Sequence, residues 1–397
     1  MYKITSTAGS LLEGAVSRRL TEGVVESNSR TCLRFLLGTF VITLITLLSP
    51  HSASAAWQPS LAIGLLEHQT TVSLNVQGQT MTITIKNGKL ALNGKPIDAS
   101  TYTLPTTANS AFTVLVNGKP YRGTIRIDLH GSSFTVVNVV PTEDYLAGVL
   151  PKEMSSSWPQ EAQKAQAVAA RTFALHSRGR HRDAGYDLCS STHCQSYGGA
   201  IGEEQGSTAA IAATYGEVLT YQGNLIDAVF HTDSGGMTDR SEDVWGSQIP
   251  YLRPAKELEM NTQPWKRTFS ADTFAAKLAR KKDIGKLQRI TLSPLTVGKS
   301  AADRSASGRV TSATFSGTKG ALRLTGNDLR SLFGLPSTLF DLKLSGNTVT
   351  MNGYGAGHGL GLSQWGARAF AAKGMKYQDI LSHYYAGTTL KQLYKNK

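Results

Sequence analysis

Few residues in this chain are of a type and spacing that could do chemistry. Glu153 stands between Lys152 and Met154, just ahead of a helical stretch. A lone carboxyl can serve as both general acid and general base if it holds a proton near neutral pH, most simply through burial in a cleft. Lys164 and Arg171, seven residues apart, share one face of the helix that follows. The plain alternative is a surface glutamate beside a solvated charged face. Cys189 and Cys194 lie in Asp187-Leu-Cys-Ser-Ser-Thr-His-Cys-Gln-Ser-Tyr197, with His193 adjacent and His181 eight residues before Cys189. In an exported chain the two cysteines fit a disulfide that closes a short loop, which their spacing favours. With the two histidines they also fit a tetrahedral zinc site, which would pin a loop, since four protein ligands leave no open position. Ser234, in Phe230-His-Thr-Asp-Ser-Gly-Gly236, follows a strand-like run that contains His231. It could be a nucleophile, but the G-x-S-x-G frame is missing. His358 lies in Gly353-Tyr-Gly-Ala-Gly-His-Gly-Leu-Gly361. This is no dinucleotide loop, because no strand–GxGxxG–helix unit with a correctly spaced acid surrounds it. Alternating glycines let a backbone approach a ligand closely, so His358 is either exposed to a cleft or a structural histidine.

Elements must position these groups. The clearest helix begins near Pro159, which suits a first turn, with Glu161 in that turn complementing the dipole. Ala162, Ala165, Ala169 and Phe173 form a stripe of mostly small residues that can approach another backbone closely. From Trp57 to Val140 the pattern alternates as strands: Thr71–Val76, Met81–Lys86, Thr124–Leu129 and Phe134–Asn138. A turn at Gln77-Gly-Gln79 and hairpin signals at Asn87-Gly88 and Asn117-Gly118 separate them. Ile226–Thr232 reads as another buried strand. Residues 257–350 are mixed, with a helix over Ser270–Leu278 capped by Ser270 and strands at Leu287–Leu292 and Val310–Phe315. No repeat or linker interrupts the chain, so its regions can pack as one body.

At 397 residues, 40% hydrophobic and 17% charged, the chain is a folded protein with room for more than one domain. Its net charge of +13 favours anionic partners. Nucleic acid is not expected among them, because no basic run with interleaved aromatics and no recognition motif is present. Phe35–Leu48 is a short apolar run after Arg30 and Arg34, and Ala53-Ser54-Ala55 follows it. That is the layout of a secretory signal over residues 1–56, with Cys32 inside it. Cleavage would release the protein to the periplasm, cell wall or medium; an uncleaved signal would be its one membrane anchor.

The stretch Glu143-Asp-Tyr-Leu-Ala-Gly-Val-Leu150, Lys152-Glu-Met154, Trp158-Pro-Gln-Glu-Ala162 and Lys164-Ala-Gln-Ala-Val-Ala-Ala-Arg-Thr-Phe-Ala-Leu175 resembles the signature of the stage II sporulation protein D (SpoIID/LytB, amidase enhancer) family. Shorter matches run from Tyr121-Arg-Gly123 through the Ser234 and His358 segments to Ile380–Thr388. The resemblance implies an α+β fold: a strand-rich N-terminal region over 57–120, then a family domain over 121–397 with a mixed insertion at about 257–350, one Ala-rich helix and a glycan-binding cleft. It implies peptidoglycan glycan strands as substrate. It also implies either a lytic transglycosylase acting on denuded glycan or a non-catalytic enhancer that partners a cell-wall amidase. It assigns Glu153 as the catalytic group. Lys164, Arg171, His231, Ser234, His358, Gln364 and Tyr384 are then substrate-binding residues, with the two cations meeting substrate carboxylates or hydroxyls or orienting the turn. The family also includes zinc-binding members, which favours one structural zinc on His181, Cys189, His193 and Cys194. Tyr354 and Ala356 depart from the family pattern, which commonly has Arg and Trp there.

Overall fold

The computed structural model describes residues 58–104 and 113–395. The apolar run, Cys32 and the Ala53-Ser54-Ala55 pattern lie outside those residues.

Period-two alternation produces the N-terminal strands, and the dipeptides between them produce the turns. Gln77-Gly78, Asn87-Gly88 and Asn117-Gly118 all carry positive φ at both positions (50° and 85°, 53° and 73°, 46° and 79°). Those are the primed turns whose twist matches paired strands. The result is a six-stranded sheet running from Lys95–Pro96 through Gln79–Lys86 and Thr71–Val76 to Lys119–Tyr121. It shares a core of Val72, Leu74, Ile83, Ile125, Ile127 and Phe134 with a five-stranded sheet. In that second sheet Ser60–Gln69 pairs antiparallel with Ser133–Pro141 and parallel with Leu188–Cys189. The sheet therefore crosses the boundary expected near residue 120: N-terminal strands and cysteine loop are joined by backbone hydrogen bonds.

The site-bearing core is built on two consecutive helices, Thr142–Glu153 and Gln160–His176. Glu153 is thus the last residue of a helix, where a turn was expected. Pro159 caps the second helix, its carbonyl accepting from Ala162 and Gln163. Every residue from Ala165 to Leu175 is buried, so this helix has no solvated face there. It is enclosed by the first helix, by Gln205–Ala213, Gln364–Ala372 and Tyr377–Tyr384, and by the strand Glu217–Tyr221. Ala165, Ala167, Ala169, Ala170 and Ala174 let so many neighbours approach.

Residues 265–353 form a lobe with its own core, including Phe274, Phe315, Phe340, Leu329 and Met351. Two three-stranded sheets flank the helices Ala271–Leu278 and Gly326–Phe333. Ser270 caps the first, accepting from the Thr273 N–H, as its sequence suggested. Thr325 and Asp328 form a reciprocal capping box on the second.

The strand expected at Ile226–Thr232 shrinks to Phe230–His231, parallel to Leu362–Ser363. Its upstream part is buried but irregular: the Val229 carbonyl accepts from the Tyr385 hydroxyl at 2.8 Å and from the Leu362 N–H. The Tyr385 side chain and the first N–H of the neighbouring strand share that carbonyl. Among the described residues, no helix is long and apolar enough to cross a membrane.

Candidate active site

Glu153 is half-buried at the wall of a cleft of about 380 Å³. One carboxyl oxygen accepts from the Ser196 N–H at 2.8 Å and the other from the Gln364 side-chain amide at 3.4 Å. Two local features allow this. Gly148, one turn upstream on the same helix, lets Tyr197 and the Gly199 carbonyl pack against it; a Cβ there would lie 2.5 Å and 2.6 Å from them. Gln364 opens the helix Gln364–Ala372, whose cap Ser363 accepts from the Gly366 N–H. Asp227, His193, Cys194 and Phe173 also line the cleft.

Two histidines line it as well. His231 is buried, and its Nδ1 lies 3.1 Å from the Leu360 carbonyl, so Nδ1 carries the proton and donates. Its Nε2 is then a lone-pair acceptor without a partner among the described residues. Burial, with His358 and Arg309 nearby, pushes the His231 pKa well below the usual imidazole range. In His358, Nε2 donates to the Phe230 carbonyl at 3.0 Å and Nδ1 accepts from the Leu360 N–H at 3.1 Å. Both nitrogens are engaged by backbone, and burial holds the ring neutral with a pKa of about 4. His358 therefore offers the cleft a ring face and clamps the glycine loop. Neither Tyr354 nor Ala356 lines this cleft.

The other expected contacts lie elsewhere. Arg171 is fully buried and bidentate on Glu143, at 2.8 and 2.7 Å, and a third nitrogen donates to the Glu217 carbonyl. Glu143 also accepts from the Tyr394 hydroxyl at 2.6 Å. This corrects the substrate-binding expectation for Arg171: it is a tie between the core helices and the C-terminal segment. Lys164 pairs with Glu161 at 2.8 Å and lies over the Tyr377 ring, fastening the helix Tyr377–Tyr384. Ser234 is fully buried and accepts from the Gly236 N–H. Tyr384, also buried, donates to Glu257 at 3.1 Å. Burial raises the Glu257 pKa to about 7, with hydrogen bonds from Ser234, Ser363 and Tyr384 opposing the shift. Gly366 is obligatory beside this group, since a Cβ would lie 2.1 Å from the Tyr384 hydroxyl.

His181, Cys189, His193 and Cys194 converge, with ligand atoms all within 4.8 Å of one another. The sulfur–nitrogen distances are 3.6 Å (Cys189–His193), 3.4 Å (Cys194–His181) and 3.7 Å (Cys194–His193). Tetrahedral zinc with bonds of about 2.3 Å to sulfur and about 2.05 Å to nitrogen sets such pairs about 3.6 Å apart. The donor set and spacing fit that metal, and the two thiols are not joined to each other. Burial pushes the Cys189 thiol up, but hydrogen bonds from Ser191 and His193 outweigh it and hold the pKa at about 6. Burial raises Cys194 to about 11. The cluster is continuous with the cleft, because Ser196, which holds Glu153, lies two residues after Cys194. Between them, Gln195 accepts from Tyr145 and donates to the Ala170 carbonyl.

Asp227 and Arg180, both in the cleft wall, had no role in the sequence reading. Burial raises the Asp227 pKa, against the pull of His176 and Arg180, and one of its oxygens is unpartnered among the described residues. A lone acid inside the apolar run Ile226-Asp-Ala-Val-Phe230 was the signal that could have revealed it.

The family model described as Stage II sporulation protein matches residues 130–221. A second, described as a domain of unknown function, matches 252–361. An uncharacterized protein of Brachyspira hyodysenteriae is 32% identical over 281 residues, 69% of this chain and 73% of that protein. Stage II sporulation protein D of Bacillus amyloliquefaciens is 32% identical over 292 residues, 68% of this chain and 79% of that protein. The amidase enhancer of Bacillus subtilis is 31% identical over 359 residues, 79% of this chain but 50% of the enhancer.

Proposed function

Because this chain belongs to the stage II sporulation protein D family, we propose that it is an exported peptidoglycan-remodelling protein, a lytic transglycosylase that cuts MurNAc–GlcNAc bonds of denuded glycan. The observation that carries this reading is Glu153, held by two donors at the wall of an open cleft whose other carboxyl, Asp227, has one oxygen buried and without a donor among the described residues. Glu153 protonates the glycosidic oxygen as the bond from muramic C1 breaks. The resulting carboxylate then takes the proton from the C6 hydroxyl as O6 bonds to C1. The products are a free GlcNAc 4-hydroxyl and a 1,6-anhydro ring; no water is consumed and the glutamate ends protonated as it began. This differs from hydrolases that divide the work between two carboxyl groups. The Ser196 N–H and the Gln364 amide keep the carboxyl in place through both steps. His231, neutral and buried, donates to the Leu360 carbonyl and shapes the cleft wall.

His181, Cys189, His193 and Cys194 would hold one zinc ion. Bound there, the metal supplies a cross-link and charge neutralisation for two thiolates, with no open position for substrate. The chain's own contribution is to carry that rigidity through Gln195 to the Ser196 N–H and so to Glu153.

A second reading is favoured by the likeness to the Bacillus subtilis amidase enhancer: a glycan-binding module that recruits a cell-wall amidase. Muropeptide analysis after incubation with denuded glycan and with intact sacculi separates the two. Anhydro ends from the purified protein alone mean lyase; no products alone but faster release of stem peptides with an amidase means enhancer.

A further inference from the structure

The cleft at Glu153 does not stop at its own wall. Trp245, 42% exposed, lines it and also lines a second cavity of about 300 Å³ on its other side. The indole is thus a ridge between two hollows. It ends a short helix, Ser241–Trp245, whose acids are already engaged: Glu242 by Arg253 at 2.6 Å and Asp243 by Arg240 at 2.8 Å. The far wall of the second cavity comes from the lobe, through Thr311, Thr325, Asn327 and Thr338. The Asn327 amide donates to the Val244 carbonyl at 2.9 Å and ties ridge to lobe. Arg309, buried in the same wall, donates to the Ser234 carbonyl and leaves its Nε without a partner among the described residues.

A hollow with hydroxyls, amides and backbone on its rim, Glu242 and Asp243 paired with arginines, Asp239 held by the Ser307 hydroxyl and the Arg240 N–H, and one large bare aromatic face suits an uncharged, hydroxylated ring. Such a ring lays its C–H face on the indole and its hydroxyls on the rim. We propose that the lobe's cavity is a second sugar subsite, that Trp245 stacks a saccharide where the strand crosses the ridge, and that the lobe thereby makes the protein selective for long glycan. This rests on the reading that the Glu153 cleft binds glycan.

The test is calorimetric titration of full-length Glu153→Gln protein, which does not consume its ligand, with GlcNAc–MurNAc tetrasaccharide and octasaccharide. The octasaccharide binds at least about tenfold tighter, as expected for one more buried ring face. Adding Thr311→Trp, which fills the lobe cavity, brings the ratio of the two affinities towards one. Adding Trp245→Ala weakens octasaccharide binding about tenfold, and Trp245→Phe restores most of it. Circular dichroism checks that each variant is folded. Equal binding of both lengths by the parent, or a length preference that survives Thr311→Trp, overturns the subsite and leaves the cleft assignment standing. Failure to bind either oligomer overturns the glycan reading itself, and the subsite with it.

Discussion

Glu153 and Glu257 sit on either side of the same two residues, Ser363 and Gln364, in opposite surroundings. Gln364 reaches Glu153 in a cleft of about 380 Å³. Ser363 reaches Glu257, whose neighbouring space beside Trp365, Gly366 and Ala369 has no room for a ligand. Burial raises Glu257 to about 7, a value that would suit an acid catalyst. Yet it is enclosed by Ser234, Ser363 and Tyr384, two of which resembled substrate contacts. A perturbed acidity marks burial; access to a reacting bond requires an open wall as well. The buried acid acts as a hub behind the site, fixing the cap of the helix that presents Gln364.

The two acids are separated most widely by amide substitution. Glu153→Gln keeps shape but removes the transferable proton. Roughly 10²–10⁴-fold loss of turnover is expected, with glycan affinity and melting temperature nearly unchanged, checked by product kinetics, titration and calorimetry. Breaking the core tie should do the reverse. Arg171→Ala leaves Glu143 buried and unpaired, costing about 3–5 kcal/mol of stability in denaturant unfolding. Affinity of the molecules that remain folded should be unaffected; a selective loss of glycan affinity in a stable protein would return Arg171 to the substrate.

Smaller effects test what lies between. Removing metal by chelation, or Cys194→Ser, should lower turnover up to about a hundredfold by misplacing the Ser196 N–H and Glu153. Metal analysis of protein purified without chelator should find about one zinc per chain. Absence of metal together with loss of both free thiols would mean a disulfide instead.

Glu257→Gln should have the smallest effect on turnover, within severalfold. Its folded pKa is raised from 4.5 to about 7, so the folded state holds that proton more tightly than the unfolded chain. The stability this gives is complete below about 4.5 and is lost as pH rises through about 7. The Gln variant should therefore gain on the wild type with rising pH across that window, by on the order of 3 kcal/mol. His358 has the opposite sign. With a folded pKa of about 4, its contribution is present above the unfolded value near 6.5 and is lost as pH falls through about 4.

What the sequence made legible was local or carried by resemblance. Asn87-Gly88 and Asn117-Gly118 dictate their turns through backbone sterics, and Ser270 caps its helix through a neighbour three residues away. Cys189, His193 and Cys194 lie close enough along the chain to be read as a group. Arg171 was misread because its partners, Glu143 and Tyr394, are distant in sequence and its helix is buried on all sides. The donor that orients Glu153 is a backbone N–H, which no residue type announces. Trp245 was visible as a letter, but a ridge between two cavities exists only once the lobe has folded against it.

The most direct measurement is the release of 1,6-anhydro ends from denuded glycan by the purified wild type, Glu153→Gln and Glu257→Gln proteins, each shown to be folded. Abundant anhydro ends are expected from the wild type, comparable release from Glu257→Gln, and almost none from Glu153→Gln despite retained glycan binding. Near-normal release by Glu153→Gln, or none by the wild type, would rule out Glu153 as the group that cuts the glycan.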